Sequence, residues 1–504
     1  MNDKKQTKIN LYTNVLALLA NILVGIYYTP YLINNLGLAA YGVLPLALIV
    51  NQYIAVATQT LTHAYTRFYS VALQKGNYVE ASKDISTSLV VVLLISVLIV
   101  PAGIIIVCNV DSLFQIPSDL LESTRKLFGY TILSFVVSLL SSLLNVTLYA
   151  INRLDLMNMM KIIRVVFKLL FVVAFFEIIK VDVFFVGLTN LLTEVLILFV
   201  SIYLFIQFKP SEVKLSLALF DKAILYSILG MSVWVLIQLC GDTLLYRTDN
   251  LIVNHYWGTV ASGALGAISE IGNYVSVVVS VIGSLFGPLI LASYAKGNHE
   301  EVKSLFLEQS TIVGCLSAIL AGTISGCASS ILDNWLGNDM GQYSCWLVLK
   351  MLVLPYYAAG GIMAFVYRSW NKMRLPAIGT IFIGLVDVVV LVIMCELWQP
   401  SDAMPILVLS AIFSIMQCFV LNFVAVYKIY EDCKTKFLPL FSKITITFVL
   451  CSVCGSCVSS LLAVKSIAAL GGMLLLIVVV MLVFVSFVVL SKEERDKMLE
   501  IVIK

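Results

Sequence analysis

The chain has 504 residues, 61% of them hydrophobic and 12% charged, with a formal net charge of +3. A soluble chain is closer to half apolar and a quarter charged, so an ordinary string of soluble domains is excluded. A net charge this small gives nucleic acid little to bind. What remains is an all-α polytopic membrane protein, because apolar runs of about 20 residues, enough to cross a bilayer, recur along the whole length.

Met1–Lys8 is short, polar and basic, and the apolar run after it is a full span. Residues 10–34 are therefore expected to be a span rather than a cleaved leader. Fourteen spans are predicted, near 10–34, 41–68, 85–109, 124–151, 159–178, 183–207, 222–254, 264–293, 304–328, 343–370, 375–398, 404–430, 437–463 and 466–490. Each is expected to be helical, since lipid offers no partner to an open backbone donor. The N-terminus and alternate loops carry the cations Lys4, Lys5 and Lys8, then Lys75 and Lys83, Arg153, Lys209 and Lys214, Lys296 and Lys303, Lys372 and Arg374, and Lys434 and Lys436. Lys492, Arg495 and Lys497 follow in the tail, while the intervening loops carry Asp111, Asp119, Asp182, Asp333, Asp339 and Asp402. Exceptions are Lys180, Lys465, Arg125 and Lys126. This positive-inside pattern predicts cytoplasmic termini and an even number of spans.

The chain also repeats itself. A shift of 221 residues carries Gly37 onto Gly258, Gly42 onto Gly263, Tyr53 onto Tyr274, and Lys75-Gly76-Asn77 onto Lys296-Gly297-Asn298. Phe114 falls on Trp335 and, with a slip of two, Asn152-Arg153 on Asn371-Lys372. Spans one to six thus match spans seven to twelve. Six is even, so both copies have one orientation and are expected to form a parallel repeat about a pseudo-two-fold. The expected organisation is a six-helix lobe over 1–215, a second over 216–432, and two additional helices with a cytoplasmic tail over 433–504.

Polar residues inside spans are costly and usually face a cavity or a partner. Asn14, Asn21 and Tyr28 share one face of the first span, and Asp242 and Asp249 the matching face of the seventh. Gln52, Gln59, His63 and Thr66, with Arg67 at the inner end, stripe the second span; Glu270, Asn273 and Ser280 stripe the eighth. Asn21, Gln52, Gln59, His63, Arg67, Asp242, Arg247, Asp249, Glu270 and Asn273 are the candidate substrate-binding residues of a central wet cavity. Interhelical hydrogen bonding that only holds the bundle together is the plainer alternative. Arg247 reads equally as a cavity cation or as the neutralising neighbour of Asp242 or Asp249. Lys350 is expected to snorkel to the surface. Arg164 and Lys168, one turn apart on the fifth span, suit anionic head groups or simply mark the cytoplasmic end. His63 reads as a packed residue, with proton coupling the alternative.

The 11 cysteines form no disulfide framework. Cys451, Cys454 and Cys457 imitate a cluster motif but lie in an apolar span and read as packing residues. No phosphate loop and no H-E-x-x-H or G-x-S-x-G motif is present, so no enzyme, metal or cofactor is expected.

The segments PYLINNLGLAAYG (Pro30–Gly42), TDNLIVNHYWG (Thr248–Gly258) and YAKGNHEE (Tyr294–Glu301) give the chain its resemblance to a family. Over essentially its whole length it resembles the bacterial polysaccharide flippases, the O-antigen and capsule repeat-unit translocases of the multidrug/oligosaccharidyl-lipid/polysaccharide exporter superfamily. The resemblance implies two six-helix lobes in a V around a cationic cavity. It also implies alternating access in the cytoplasmic (inner) membrane for an undecaprenyl-pyrophosphate-linked glycan amid membrane lipids. The protein would be a monomer working beside a polysaccharide polymerase and a chain-length regulator. A cation-coupled multidrug exporter and a lipid II flippase of the same superfamily are the nearest alternatives. A membrane-embedded glycan polymerase or ligase fits less well, because the external loops are short.

Overall fold

The computed structural model describes residues 3–284, 290, 293–294, 296–337, 339–370, 372–421, 434–462, 466–492 and 494–495. Among them every regular element is helical, as expected of a chain whose backbone must satisfy itself in hydrocarbon. The long helices are α1 (Asp3–Leu36), α2 (Val43–Gln74), α3 (Tyr78–Cys108), α4 (Leu121–Ala150), α5 (Leu154–Ile178) and α6 (Phe184–Phe208). A continuous run, Lys222–Ser284, breaks at Gly258 into α7 (222–257) and α8 (259–284). Then come α9 (His299–Gly326), α10 (Ser344–Ser369), α11 (Arg374–Trp398), α12 (Met404–Ile415, prolonged by the π-turn Met416–Leu421), α13 (Lys434–Leu461) and α14 (Ile467–Val488). Eleven segments among the described residues are long and apolar enough to cross a membrane, one of them the joined run through Gly258. The protein is a multi-pass membrane protein.

The repeat is visible in backbone geometry. Gly37 and its counterpart Gly258 have φ of 80° and 77°, and Gly76 and Gly297 have φ of 70° and 75°. These values favour glycine. Asn77 and Asn298 then cap α3 and α9 in the same way. Each side chain accepts from the third residue on, Glu80 N at 3.1 Å and Glu301 N at 3.2 Å, and donates back to that glutamate at 2.7 and 3.0 Å. Each capped helix is followed by a short helix, Val110–Leu113 or Ala328–Leu336.

The chain divides into two compact units. The first comprises Met1–Thr243 with Val253–Gly263, the second Leu244–Ile252 with Ala264–Lys504. In the first unit α2 packs on α4, where the fully buried Tyr69 hydroxyl meets Thr147 at 3.1 Å. Asn10 ties α1 to the α4–α5 turn, donating to Asn152 Oδ1 at 3.0 Å and accepting from Asp155 N at 3.0 Å. Residues 209–221 are stitched to α3: Lys214 N, Ser216 N and Asp221 N donate to the hydroxyls of Ser82, Ser86 and Thr87 at 2.9, 3.1 and 3.0 Å. Lys83 donates to Asp221 at 3.2 Å and holds that carboxyl below the usual carboxylate range. The Lys83–Asp221 tie is therefore present at neutral pH and is lost as the pH falls through the lowered value.

In the second unit α13 is not peripheral. Gly322 and Gly326 on α9 let its backbone come close: added Cβ atoms would stand 2.6 Å from Phe448 O and 2.3 Å from Ser452 O. This is the small-residue packing favoured between membrane helices. Cys451 lies buried in the same seam, near Gly322, and among the described residues no cluster of metal-binding side chains includes it.

The tightest backbone contact joins repeat-related segments inside the first unit. A Cβ on Gly42 would stand 1.9 Å from Thr259 O, and one on Gly263 would stand 2.5 Å from Leu38 O. Under the 221-residue shift the two contacts exchange places. Nearby, the fully buried Asn254 accepts from Gln115 N at 3.1 Å and donates to Gln115 O at 3.3 Å, tying the α3–α4 connection to the end of α7. We expect Gly42→Ala to abolish recovery of folded protein, because the clash is with backbone. Gly76→Ala, whose Cβ would meet nothing within 4 Å, should cost only the left-handed strain of about 1–2 kcal/mol. Yield and thermal unfolding in detergent check both.

Candidate functional site

In the first unit a cavity of about 670 Å³ opens between α2, α4 and α5. Its position follows from helical spacing. Tyr65 donates to Thr62 at 2.9 Å and lies 3.4 Å from Ser142, so the aromatic face of α2 is spent on α4. The adjoining face presents Thr62, Thr66 and Ser70 at four-residue intervals, with Arg67 beside them. Ser138, Ser142 and Asn145 face them from α4, and Lys161 and Arg164, three residues apart on α5 and so on one face, close the third side. Ser70 Oγ and Asn145 Oδ1 are buried and make no hydrogen bond within the described protein.

Three cations reach this cavity. Lys161 donates to the neutral Asn158 amide at 3.1 Å. Arg164 is held by Glu194 of α6 through two bonds, Nε to Oε1 at 2.7 Å and Nη2 to Oε2 at 3.1 Å. Arg67 is exposed at the inner end of α2. One turn beyond Arg164, Lys168 sits over the Tyr28 ring at 5.0 Å, ~10 Å along α5 from Lys161 at the usual helical rise. A guanidinium and an ammonium at one wall suit a phosphate, and hydroxyls with a carboxamide suit sugar hydroxyls.

The second unit has a buried charge cluster. Lys350 of α10 donates to Asp249 of α7, and Asp249 is only 3% exposed. Asp387 of α11 is 1% exposed, and its Oδ1 has no hydrogen-bond partner among the described residues. Beside the cluster, Tyr246 donates to Gln417 at 3.0 Å and Gln417 to Thr380 at 2.7 Å. The surface-seeking position expected of Lys350 is thus corrected. A buried carboxylate lacking a counter-charge costs more than the lysine gains by reaching water. Asp249 takes its neutralising partner from α10, and Arg247 instead donates to Asn273 at a long 3.5 Å.

Of the candidates read from the sequence, Arg67 lines the α2–α4–α5 cavity. Asn21 is exposed on α1, and Gln52 is half-buried with Oε1 unpartnered. The neighbouring Asn51 spends its amide on Thr131 O at 3.0 Å. The side chains of Gln59 and His63 lie outside the described residues. Asp242, also in the first unit, is half-buried; in the second unit Arg247 meets Asn273, Asp249 joins Lys350, and Glu270 is half-buried. The sequence reading missed Lys161, Glu194, Ser138, Ser142 and Asn145. The signal for Lys161 was its three-residue step to Arg164, and for Ser138, Ser142 and Asn145 the polar stripe on α4; Glu194 carried none.

Among solved structures the fold is shared with transporters of the multidrug/oligosaccharidyl-lipid/polysaccharide exporter superfamily. It superimposes on the inward-facing conformation of a multidrug resistance MATE family transporter of that superfamily with a TM-score of 0.70 and 14% identity, covering 87% of this chain and 98% of the other. The lipid II flippase MurJ, in an inward closed conformation, gives 0.61 with 13% identity over 90% and 97%. In sequence the chain is 25% identical over 393 residues, 76% of each protein, to the uncharacterized membrane protein EpsK of Bacillus subtilis (strain 168). No known family profile matches the chain. The structural neighbours are transporters and a flippase rather than enzymes.

Removing either partner of Lys350–Asp249 strands a buried charge, so Lys350→Met and Asp249→Asn should each cost about 3–5 kcal/mol. The double replacement Asp249→Leu with Lys350→Met should restore most of that loss in thermal unfolding.

Proposed function

We propose that the protein is a flippase. It carries undecaprenyl-pyrophosphate-linked oligosaccharide repeat units from the inner to the outer leaflet of the cytoplasmic membrane by alternating access, for O-antigen, capsule or exopolysaccharide assembly. The observation that carries this reading is the α2–α4–α5 cavity, which sets Arg67, Lys161 and Arg164 beside hydroxyls and an unpartnered carboxamide. An anionic diphosphate needs cations, and an attached glycan needs hydrogen-bonding walls that spare it from crossing hydrocarbon. The apolar tail remains in lipid.

The two lobes of this mechanism are 1–215 and 216–432, with 433–504 added and both termini cytoplasmic. The substrate stripes Asn21, Gln52, Gln59, His63 and Arg67, and Asp242, Arg247, Asp249, Glu270 and Asn273, belong to its transport path. The protein acts as a monomer, with a polymerase and a chain-length regulator downstream. A multidrug exporter is the second reading, favoured by the 0.70 TM-score to a MATE transporter. A lipid II flippase is the third, favoured by the likeness to MurJ.

Deleting the gene should deplete surface glycan and accumulate repeat-unit lipid on the cytoplasmic side; unchanged glycan with heightened drug sensitivity would select the exporter instead. Arg67→Ala and Lys161→Ala should each lower flipping by about tenfold or more, as expected for losing a hydrogen bond to a charged group. Surface glycan in a complemented deletion strain measures this.

A further inference from the structure

A transport site must hold its cargo and also release it. The cavity contains a device for the second task. Arg164 reaches the cavity with a side chain 38% exposed, while Glu194, 14% exposed, stands behind it. Glu194 is absent from the cavity lining, so an entering anion touches the guanidinium first and meets the carboxylate only as its competitor. The pair is side-on, through Nε and Nη2. It leaves Nη1 as the first handhold for an anion already drawn in by Lys161, whose own bond is to a neutral amide.

We propose that Glu194 is an internal competitor for Arg164 that sets how tightly the cavity holds a phosphate-bearing head group and returns to the guanidinium as the head group leaves. This deepens the flippase reading and rests on it for the identity of the cargo, but the competition itself concerns only phosphate and this pair. A carboxylate fixed at the site has a high local concentration and needs no diffusion to rebind. An anion with more than one charge can still displace it, because phosphate oxygens accept from Arg164 and Lys161 together. Glu194 is thus a positioning residue acting through Arg164. An ion pair that served only to neutralise α5 against α6 would predict the opposite outcome: loss of Glu194 would leave Arg164 disordered and weaken anion binding.

The test uses the purified full chain in phosphatidylcholine nanodiscs titrated with inorganic pyrophosphate. Glu194→Gln should bind pyrophosphate about tenfold more tightly and release it more slowly. Arg164→Ala should bind weakly, and adding Glu194→Gln to it should change nothing further. Unchanged or weaker binding in a folded Glu194→Gln protein overturns the proposal, as does tighter binding that survives the loss of Arg164. Should Glu194→Gln not fold, wild-type labelling of Glu194 by a hydrophobic carbodiimide, read by mass spectrometry, decides: it rises with pyrophosphate if the carboxylate is displaced, and no rise overturns the idea. Replacing part of the phosphatidylcholine by phosphatidylglycerol separates the two sources of phosphate. A shift of the pyrophosphate curve under twofold supports a diphosphate head group, whereas tenfold competition makes a bulk phospholipid the ligand and overturns the link to flipping. Surface glycan in the deletion strain is scored separately, so failure here leaves the transport reading standing or falling on its own.

Discussion

Hydrocarbon offers a polar group no partner, and the architecture answers that constraint residue by residue. Backbone groups close on themselves in helices. Side-chain charges are met inside their own unit, Asp249 by Lys350 and Glu194 by Arg164. Other polar groups find partners on neighbouring helices, as Gln115 does in Asn254 and Tyr246 in Gln417. Among the buried polar atoms left without partners in the described residues, those of Ser70 and Asn145 lie at the α2–α4–α5 cavity and that of Asp387 at the charge cluster.

Close backbone approach is the second organising feature. Gly42 with Gly263, and Gly322 and Gly326 with α13, bring main chains to distances that a single methyl group would forbid. Without a hydrophobic drive between helices in lipid, such packing is a main source of cohesion. It also makes these seams intolerant of substitution, in contrast to the open left-handed turns at Gly76 and Gly297.

Much of the fold was legible because backbone demands leave their mark on residue type. The 221-residue repeat was carried by glycines and asparagines, and these are the residues that take positive φ or cap α3 and α9. The site was less legible. Serines on α4 could not be assigned to a cavity from sequence, because only the tyrosines of α2 settle which face is spent on packing. Glu194 lies 30 residues from Arg164, with no periodic relation to reveal the pair. Lys350 looked like a surface-seeking lysine because its partner, Asp249, is 101 residues away.

The segment between the two sequence repeats is fastened along α3 by three hydroxyls and a lysine. It has no slack to absorb a rearrangement. The chain instead passes between the compact units inside helices, after Thr243 and Ile252 in α7 and after Gly263 in α8. Main-chain donors of that segment are thus spent on α3, and every passage from one unit to the other is itself helical backbone.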